Sequence, residues 1–174
     1  KHAAEQHRLS GMTKRMREQL VSLSGLDRVL LGNDPRIADL KADAIDLATA
    51  TGPVLITGET GTGKELIARA LHRLGPRRDN DFVALNCATL APERLEEQVF
   101  GNADTLLGCF RKAHGGTLFL DEVGACPVEV QSKLLRAIET GIIQPVGSDA
   151  EIQTDVRVLA ATNEDLSHRV EEGL

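Results

Sequence analysis

The stretch GETGTGK (58–64) constrains this chain more than any other. It follows an apolar run, PVLIT (53–57), and leads into ELIARALH (65–72), whose apolar residues recur at helical spacing. Gly58, Gly61 and Gly63 allow the backbone to curl until consecutive N–H groups face one anion. A helix beginning at Lys64 adds the positive end of its dipole to the same place. Lys64 supplies a mobile positive charge for outer phosphates. Gly58, Glu59, Thr60, Gly61, Thr62, Gly63, Lys64 and Glu65 are therefore read as a phosphate cradle. A glycine-rich turn without a ligand is the competing reading, and the strand and helix on either side argue against it. Glu65 stands where a Ser or Thr hydroxyl would ligate Mg²⁺. Its carboxylate either reaches a metal through water or belongs to the surrounding shell, so the metal relies on another carboxylate and on the phosphates.

Short apolar runs alternate with helical stretches on both sides of this loop. FVALN (82–86) precedes a helical stretch from Pro92 to Val99. TLFLDE (117–122) precedes one from Pro127 to Thr140, with Pro127 suited to a first turn and Gly141 to a C-terminal cap. Val130, Leu134, Ala137 and Ile138 are expected to line one face of that helix. IIQPVGSDAEIQ (142–153) reads as a hairpin around Gly147-Ser148-Asp149, and VRVLAATN (156–163) as a buried strand. Upstream, Leu31 to Pro35 punctuates the chain before a helix over Ile37 to Ala50. The order predicts an α/β fold, a mostly parallel sheet sandwiched by helices. Further upstream, Leu9, Met12, Met16, Leu20 and Leu23 step by 3, 4, 4 and 3 residues. That stripe is either a surface helix or a coiled-coil linker that pairs two chains. Residues 1–28 are expected to be this linker and 29–174 the α/β domain.

TLFLDE ends in adjacent carboxylates. Asp121 at the strand tip can hold Mg²⁺, and Glu122 can orient and deprotonate an attacking water. Asn163 closes the last strand, where its amide reaches a terminal phosphate or the water, or else caps a helix. Asn86 closes FVALN, where it holds Glu122 by a side-chain hydrogen bond or merely turns the chain.

Composition narrows the function classes. With no Trp or Tyr, stacking on nucleic-acid bases is disfavoured. A formal net charge of -6 argues against a broad nucleic-acid surface. Three cysteines, Cys87, Cys109 and Cys126, form no C-x-x-C pair and fit a reducing cytosol. No stretch reaches the ~18 apolar residues of a membrane span, and the charged N-terminus shows no signal peptide. A cytoplasmic location is expected, with no membrane partner.

GETGTGKELIARALH, FVALNCATL, VFG, HGGTLFLDEVG, KLLRAIETG and DVRVLAATN occur in this order. Together they resemble the AAA+ central domain of bacterial enhancer-binding proteins, the sigma-54-dependent activators, over roughly residues 30–174. The Glu after the Walker lysine is itself typical of that family. The resemblance implies an ATPase with ATP and Mg²⁺ as cofactors. Gly58 to Glu65 look like its Walker A loop and Asp121 with Glu122 like its Walker B pair. Asn86 looks like the switch residue that restrains the catalytic Glu, and Asn163 like sensor I. Leu31, Gly32 and Ile37 look like the lining of the adenine pocket. The leading helix is similar to the linker that joins a phosphorylatable receiver to the ATPase core in response-regulator members. Such proteins form hexameric rings completed by a neighbour's arginine fingers. They act on RNA polymerase holoenzyme and bind DNA through a helix-turn-helix domain outside this chain. The finger segment, the last strand and the helical lid also lie beyond VEEGL, so the fragment is expected to bind nucleotide more readily than it turns it over.

One departure from the family changes the partner expected. Members carry a GAFTGA loop after the Phe-Gly of VFG, and that loop touches sigma-54. Here Phe100-Gly101 is followed by NADTLL before GCFRKAHGG resumes the pattern. Phe100 and Phe110 then read as core residues, and the expected polymerase is not the sigma-54 type. Three functions remain open at this stage: an ATPase that remodels polymerase, a nucleotide-gated scaffold or repressor, and an AAA+ remodeller of another target.

Overall fold

A computed structural model of the chain describes residues 26–32, 34–103 and 105–164. The stripe from Leu9 to Leu23 lies outside the described residues. Helix α1 spans Leu26–Val29 and α2 Pro35–Thr49. Asp34 caps α2 by accepting from the Arg36 N–H at 2.9 Å, and Pro35 occupies its first turn. Strand β1 (Val54–Thr57) leads through the glycine loop into α3 (Lys64–Leu74). Then follow β2 (Phe82–Asn86), α4 (Pro92–Phe100), α5 (Cys109–Lys112), β3 (Thr117–Asp121) and α6 (Val128–Thr140). A short hairpin, β4 (Ile142–Ile143) and β5 (Ile152–Gln153), precedes β6 (Arg157–Thr162). The turns 87–89 and 123–125 are 3-10 helical.

The four long strands form one parallel sheet in the order β1-β6-β3-β2, as the alternation of strands and helices predicts. Side-chain alternation along each strand divides the core in two. Leu118, Leu120 and Val158 pack with Leu95, Val99, Phe110, Val130 and Leu134 from α4, α5 and α6. Phe119, Leu159 and Ala161 pack on the other face with Ala44, Ala48, Ala68 and Leu71 from α2 and α3. Burial on both faces explains why the central strands read as continuous apolar runs.

Phe100 and Phe110 are core residues, as expected, with ring centroids 5.8 Å apart and planes 7° from parallel. Gly141 ends α6 in a left-handed conformation at φ 70°. Ile138 departs from expectation. Val130, Leu134 and Ala137 are buried, whereas Ile138 lies at the rim at 36% exposure, because the contact stripe is narrower than the apolar stripe. Arg157, buried at the start of β6, ties α2 to the sheet. Its guanidinium donates to the Ala48 carbonyl at 2.9 Å and to the Leu47 carbonyl at 2.5 Å, the latter also accepting from the Ala50 N–H, so a positive charge meets the C-terminal end of the helix.

Helix α3 is fixed to the sheet by His72. Its Nδ1 lies 2.9 Å from Thr117 Oγ1 and its ring 5.3 Å from that of Phe82. Burial lowers the His72 pKa below its ordinary 6.5; a hydrogen bond to the Asn80 backbone opposes this, and Arg157, Arg73 and Arg69 reinforce it. The unfolded chain therefore binds this proton more tightly, and stability falls as pH drops below about 6.5. Melting temperature should fall between about pH 7.5 and pH 5.5, and less steeply in His72→Gln; parallel curves for the two proteins would refute the assignment. Phe119→Ala, in the middle of β3 at 1% exposure, should cost about 3–5 kcal/mol by urea unfolding, with the slope against denaturant unchanged.

Candidate functional site

All four parallel strands deliver their carboxyl ends to one edge of the sheet, the edge where open α/β sheets bind ligands. Strand β1 runs into Gly58, whose N–H donates to the Thr162 carbonyl at the end of β6, 3.2 Å away. Asn86 and Asp121 are directly paired residues of β2 and β3. The sequence-predicted residues of these four strand ends are thereby brought together.

Gly61 and Gly63 adopt φ 83° and 88°, the left-handed conformation that a curled anion-binding loop requires. A Cβ at Gly61 would meet nothing within 4 Å, so conformation rather than space demands glycine there. Thr62 Oγ1 donates to the Glu59 carbonyl at 2.8 Å and braces the turn. No side chain caps the N-terminus of α3, which leaves its first N–H groups facing outward from the helix end without a capping acceptor.

Lys64 is 7% exposed and folds back over the loop. Its Nζ donates to the Gly58 and Glu59 carbonyls at 2.9 and 3.2 Å and lies 3.7 Å from Glu122 Oε1. Glu122 Oε2 accepts from the Asn163 N–H at 3.3 Å, and Asn163 Nδ2 donates to Thr60 Oγ1 at 3.1 Å. Lys64, Glu122, Asn163 and Thr60 thus form one connected polar group. Glu122 is the one non-glycine described residue with positive φ, at 52°. That conformation costs about 1–3 kcal/mol and is a mark of a functional position.

Asn86 differs from its expected pairing. Its Nδ2 donates to Asp121 Oδ2 at 3.3 Å, not to Glu122, while its Oδ1 accepts from the Ala88 N–H at 2.9 Å. The β2–β3 register explains this, because Asn86 lies opposite Asp121 and Glu122 has already left the strand. Asn86 both turns the chain and holds the Asp121 carboxylate. Asp121 Oδ1 also accepts from the Glu122 N–H at 3.0 Å.

The Glu65 side chain is drawn along α3. Arg69, one turn on, donates to Glu65 Oε1 at 2.9 Å and lies over the Phe82 ring, 4.7 Å from its centroid. The i, i+4 spacing was a legible sign of this pair. Glu65 contributes its backbone to the helix start, and its carboxylate is engaged elsewhere. Leu31 is exposed at the end of α1, Gly32 adopts φ 130° and its Cα faces Ile37, and α1 packs against α3. Among the described residues, no group of three or more His, Cys, Asp or Glu side chains could hold a metal ion. None of the described helices is long and apolar enough to cross a membrane.

Comparison with known proteins agrees with this geometry. The DNA-binding transcriptional activator HyfR of Escherichia coli strain K12 is 43% identical over 97% of this chain and 25% of its own length. The DNA-binding transcriptional regulator NtrC of the same strain is 42% identical over 88% of this chain and 34% of its own. Crystal structures of NtrX from Brucella abortus in complex with ADP and with ATP match at TM-score 0.79 and 34% identity, over 96% of this chain and 38% of that one. The chain therefore spans about a quarter to two-fifths of the length of these relatives. The family model for the Sigma-54 interaction domain matches residues 30–174. With an α/β architecture of the AAA+ P-loop NTPase kind, this chain belongs to the Sigma-54 interaction domain family of bacterial transcriptional regulators.

Proposed function

We propose that this chain is the ATP-binding and ATP-hydrolysing central domain of a cytoplasmic two-component transcription regulator that acts without the usual contact to sigma-54. The observation that carries the reading is the connected group Lys64–Glu122–Asn163–Thr60 beside an uncapped helix start. The ADP and ATP complexes of NtrX support the nucleotide.

The residues fit a triphosphate. Gly58 to Glu65 supply curled backbone and the positive end of α3. Lys64 exchanges the carboxylate of Glu122 for the outer phosphates, which frees Glu122 to take a proton from water. Asn163 holds the water or the terminal phosphate from its place beside Thr60. Asp121 fits Mg²⁺, since one carboxylate with phosphate oxygens is an ordinary Mg²⁺ environment and Asn86 holds it in place. When bound, the ion would neutralise charge on the phosphates. Leu31, Gly32 and Ile37 are assigned to the adenine.

The absent partner contact is supported by the connector between Phe100 and Cys109. Its two ends touch, since a Cβ on Gly108 would lie 2.3 Å from the Gly101 nitrogen. Inside it, Asn102 Oδ1 accepts from the Thr105 and Leu106 N–H groups at 2.9 and 2.8 Å. The Ala103 N–H donates to the Val146 carbonyl at 3.0 Å and the Val146 N–H to the Gly101 carbonyl at 2.9 Å. The connector is closed at its base and pinned to the tip of the β4–β5 hairpin. A regulator built this way acts on another holoenzyme or represses, with DNA bound by a domain outside this chain and with self-association into a ring.

In the full-length protein, Lys64→Ala should abolish ATP binding measured by calorimetry. Glu122→Gln should retain binding and lower phosphate release about 100-fold or more. Undiminished binding in the first variant, or undiminished turnover in the second, would sink the reading. The full-length protein should also fail to bind sigma-54 with an ATP transition-state analogue. Binding that disappears when residues 102–107 are substituted would overturn the second half of the proposal.

A further inference from the structure

Two thiols lie beside the polar group without a part in it. Cys87 opens the 3-10 turn that follows Asn86, and Cys126 closes the 3-10 turn that follows Glu122. The two turns lie against each other. Both side chains are buried in the same apolar cluster, at 2% and 5% exposure, and each thiol perturbs the other, raising the pKa of Cys87 and lowering that of Cys126. Cys109 belongs to the same cluster and is equally buried at 5%. Burial of this degree excludes a bulky disulfide reagent and admits only a small oxidant during local opening.

We propose that Cys87 and Cys126 are a reversible oxidation site that a hydroperoxide converts to an intramolecular disulfide. One thiol attacks the peroxide oxygen, becoming a sulfenic acid as the O–O bond breaks and water leaves. The second thiol then attacks that sulfur, the S–S bond forms, and a second water leaves. In sum, two thiols and one hydrogen peroxide give one disulfide and two waters, and a dithiol reverses the step.

The location gives the bond a consequence. Asn86, one residue before Cys87, holds Asp121, and the Ala125 N–H donates to the Glu122 carbonyl within the turn that Cys126 closes. A covalent tie across these turns fixes the spacing between the Asn86 and Glu122 segments. Hydrolysis then falls, while the phosphate cradle around Lys64 is untouched. This consequence rests on the role proposed above for Glu122; the bond itself does not.

The test treats the reduced full-length protein with hydrogen peroxide and quenches it with catalase. Free thiols are then alkylated under denaturing conditions and counted by mass spectrometry. Within this domain, Cys87 and Cys126 should be protected and Cys109 alkylated. A Cys87–Cys126 linked peptide should appear in the non-reducing digest and vanish on dithiothreitol treatment. Cys109→Ser should behave like the parent, whereas Cys126→Ser should yield no linked peptide. Free Cys87 and Cys126, or sulfinic acid on one beside a free partner, would overturn the site. The second measurement compares oxidised and reduced protein. Phosphate release should fall at least fivefold with ATP affinity unchanged, and recover on reduction. A linked peptide with unchanged turnover would overturn the lock. A parent protein without any turnover would instead count against the hydrolytic reading, and the thiol count would still decide the site.

Discussion

The pairing of β6 between β1 and β3 is the constraint on which the rest depends. Thr57 of β1 lies opposite Thr162, and Leu120 of β3 lies opposite Ala160. With the four strands of this sheet parallel, that register carries the glycine loop, the Asp121–Glu122 corner and Asn163 to one edge without any of them being adjacent in sequence. A slip of one residue in β6 would turn Leu159 and Ala161 away from α2 and α3 and remove Asn163 from Thr60. Burial on both faces holds the register, so the apolar core is also what aligns the polar group. Arg157 reinforces it from the far end of the same strand by gripping α2.

Within that frame, the site is a balance between burial and charge. A lysine at 7% exposure is costly unless its charge is met. Two loop carbonyls and the Glu122 carboxylate meet it here. Glu122 reaches that place only because its backbone leaves β3 in a left-handed conformation. The strain and the ion pair belong together, since a relaxed corner would aim the carboxylate elsewhere. On the proposed function, an incoming phosphate would compete with Glu122 for Lys64, so that filling the loop and freeing that carboxylate would be one electrostatic event.

The parts of this site that sequence reveals are those encoded by local chemistry. GETGTGK needs its glycines for curvature and its lysine for charge, and TLFLDE needs an apolar strand under two acids. Strands and helices followed from the period of apolar residues, and α3, β2, β3 and α6 lie close to their expected bounds. Asn86 was legible as a strand-end amide but not in its partner, because register decides that partner and register is a property of two strands. Glu65 kept its place at the helix start, while its carboxylate went to Arg69, a pairing that spacing alone could have suggested. Ile138 looked interior because helical periodicity gives the centre of a face and not its width. Cys87 and Cys126 carry no motif at all, and only the packing of two 3-10 turns brings them together.

The connector after Phe100 shows the same limit from the other side. Its short sequence gives the length of the connector, but not how it is held. In the fold, Gly101 and Gly108 close the base, and Asn102 fills the interior with its own hydrogen bonds. Val146 then bonds to the connector from the hairpin. The hairpin leads through Thr154, whose N–H donates to the Gly141 carbonyl at 2.7 Å, into β6 and so to Asn163. A continuous path of backbone and backbone hydrogen bonds therefore links this edge of the sheet to the connector. Lifting the connector from the hairpin breaks two backbone hydrogen bonds, those between Val146 and the Ala103 N–H and Gly101 carbonyl. Hairpin and connector are therefore tied by two backbone hydrogen bonds at Val146, and the same hairpin runs directly into β6 and Asn163.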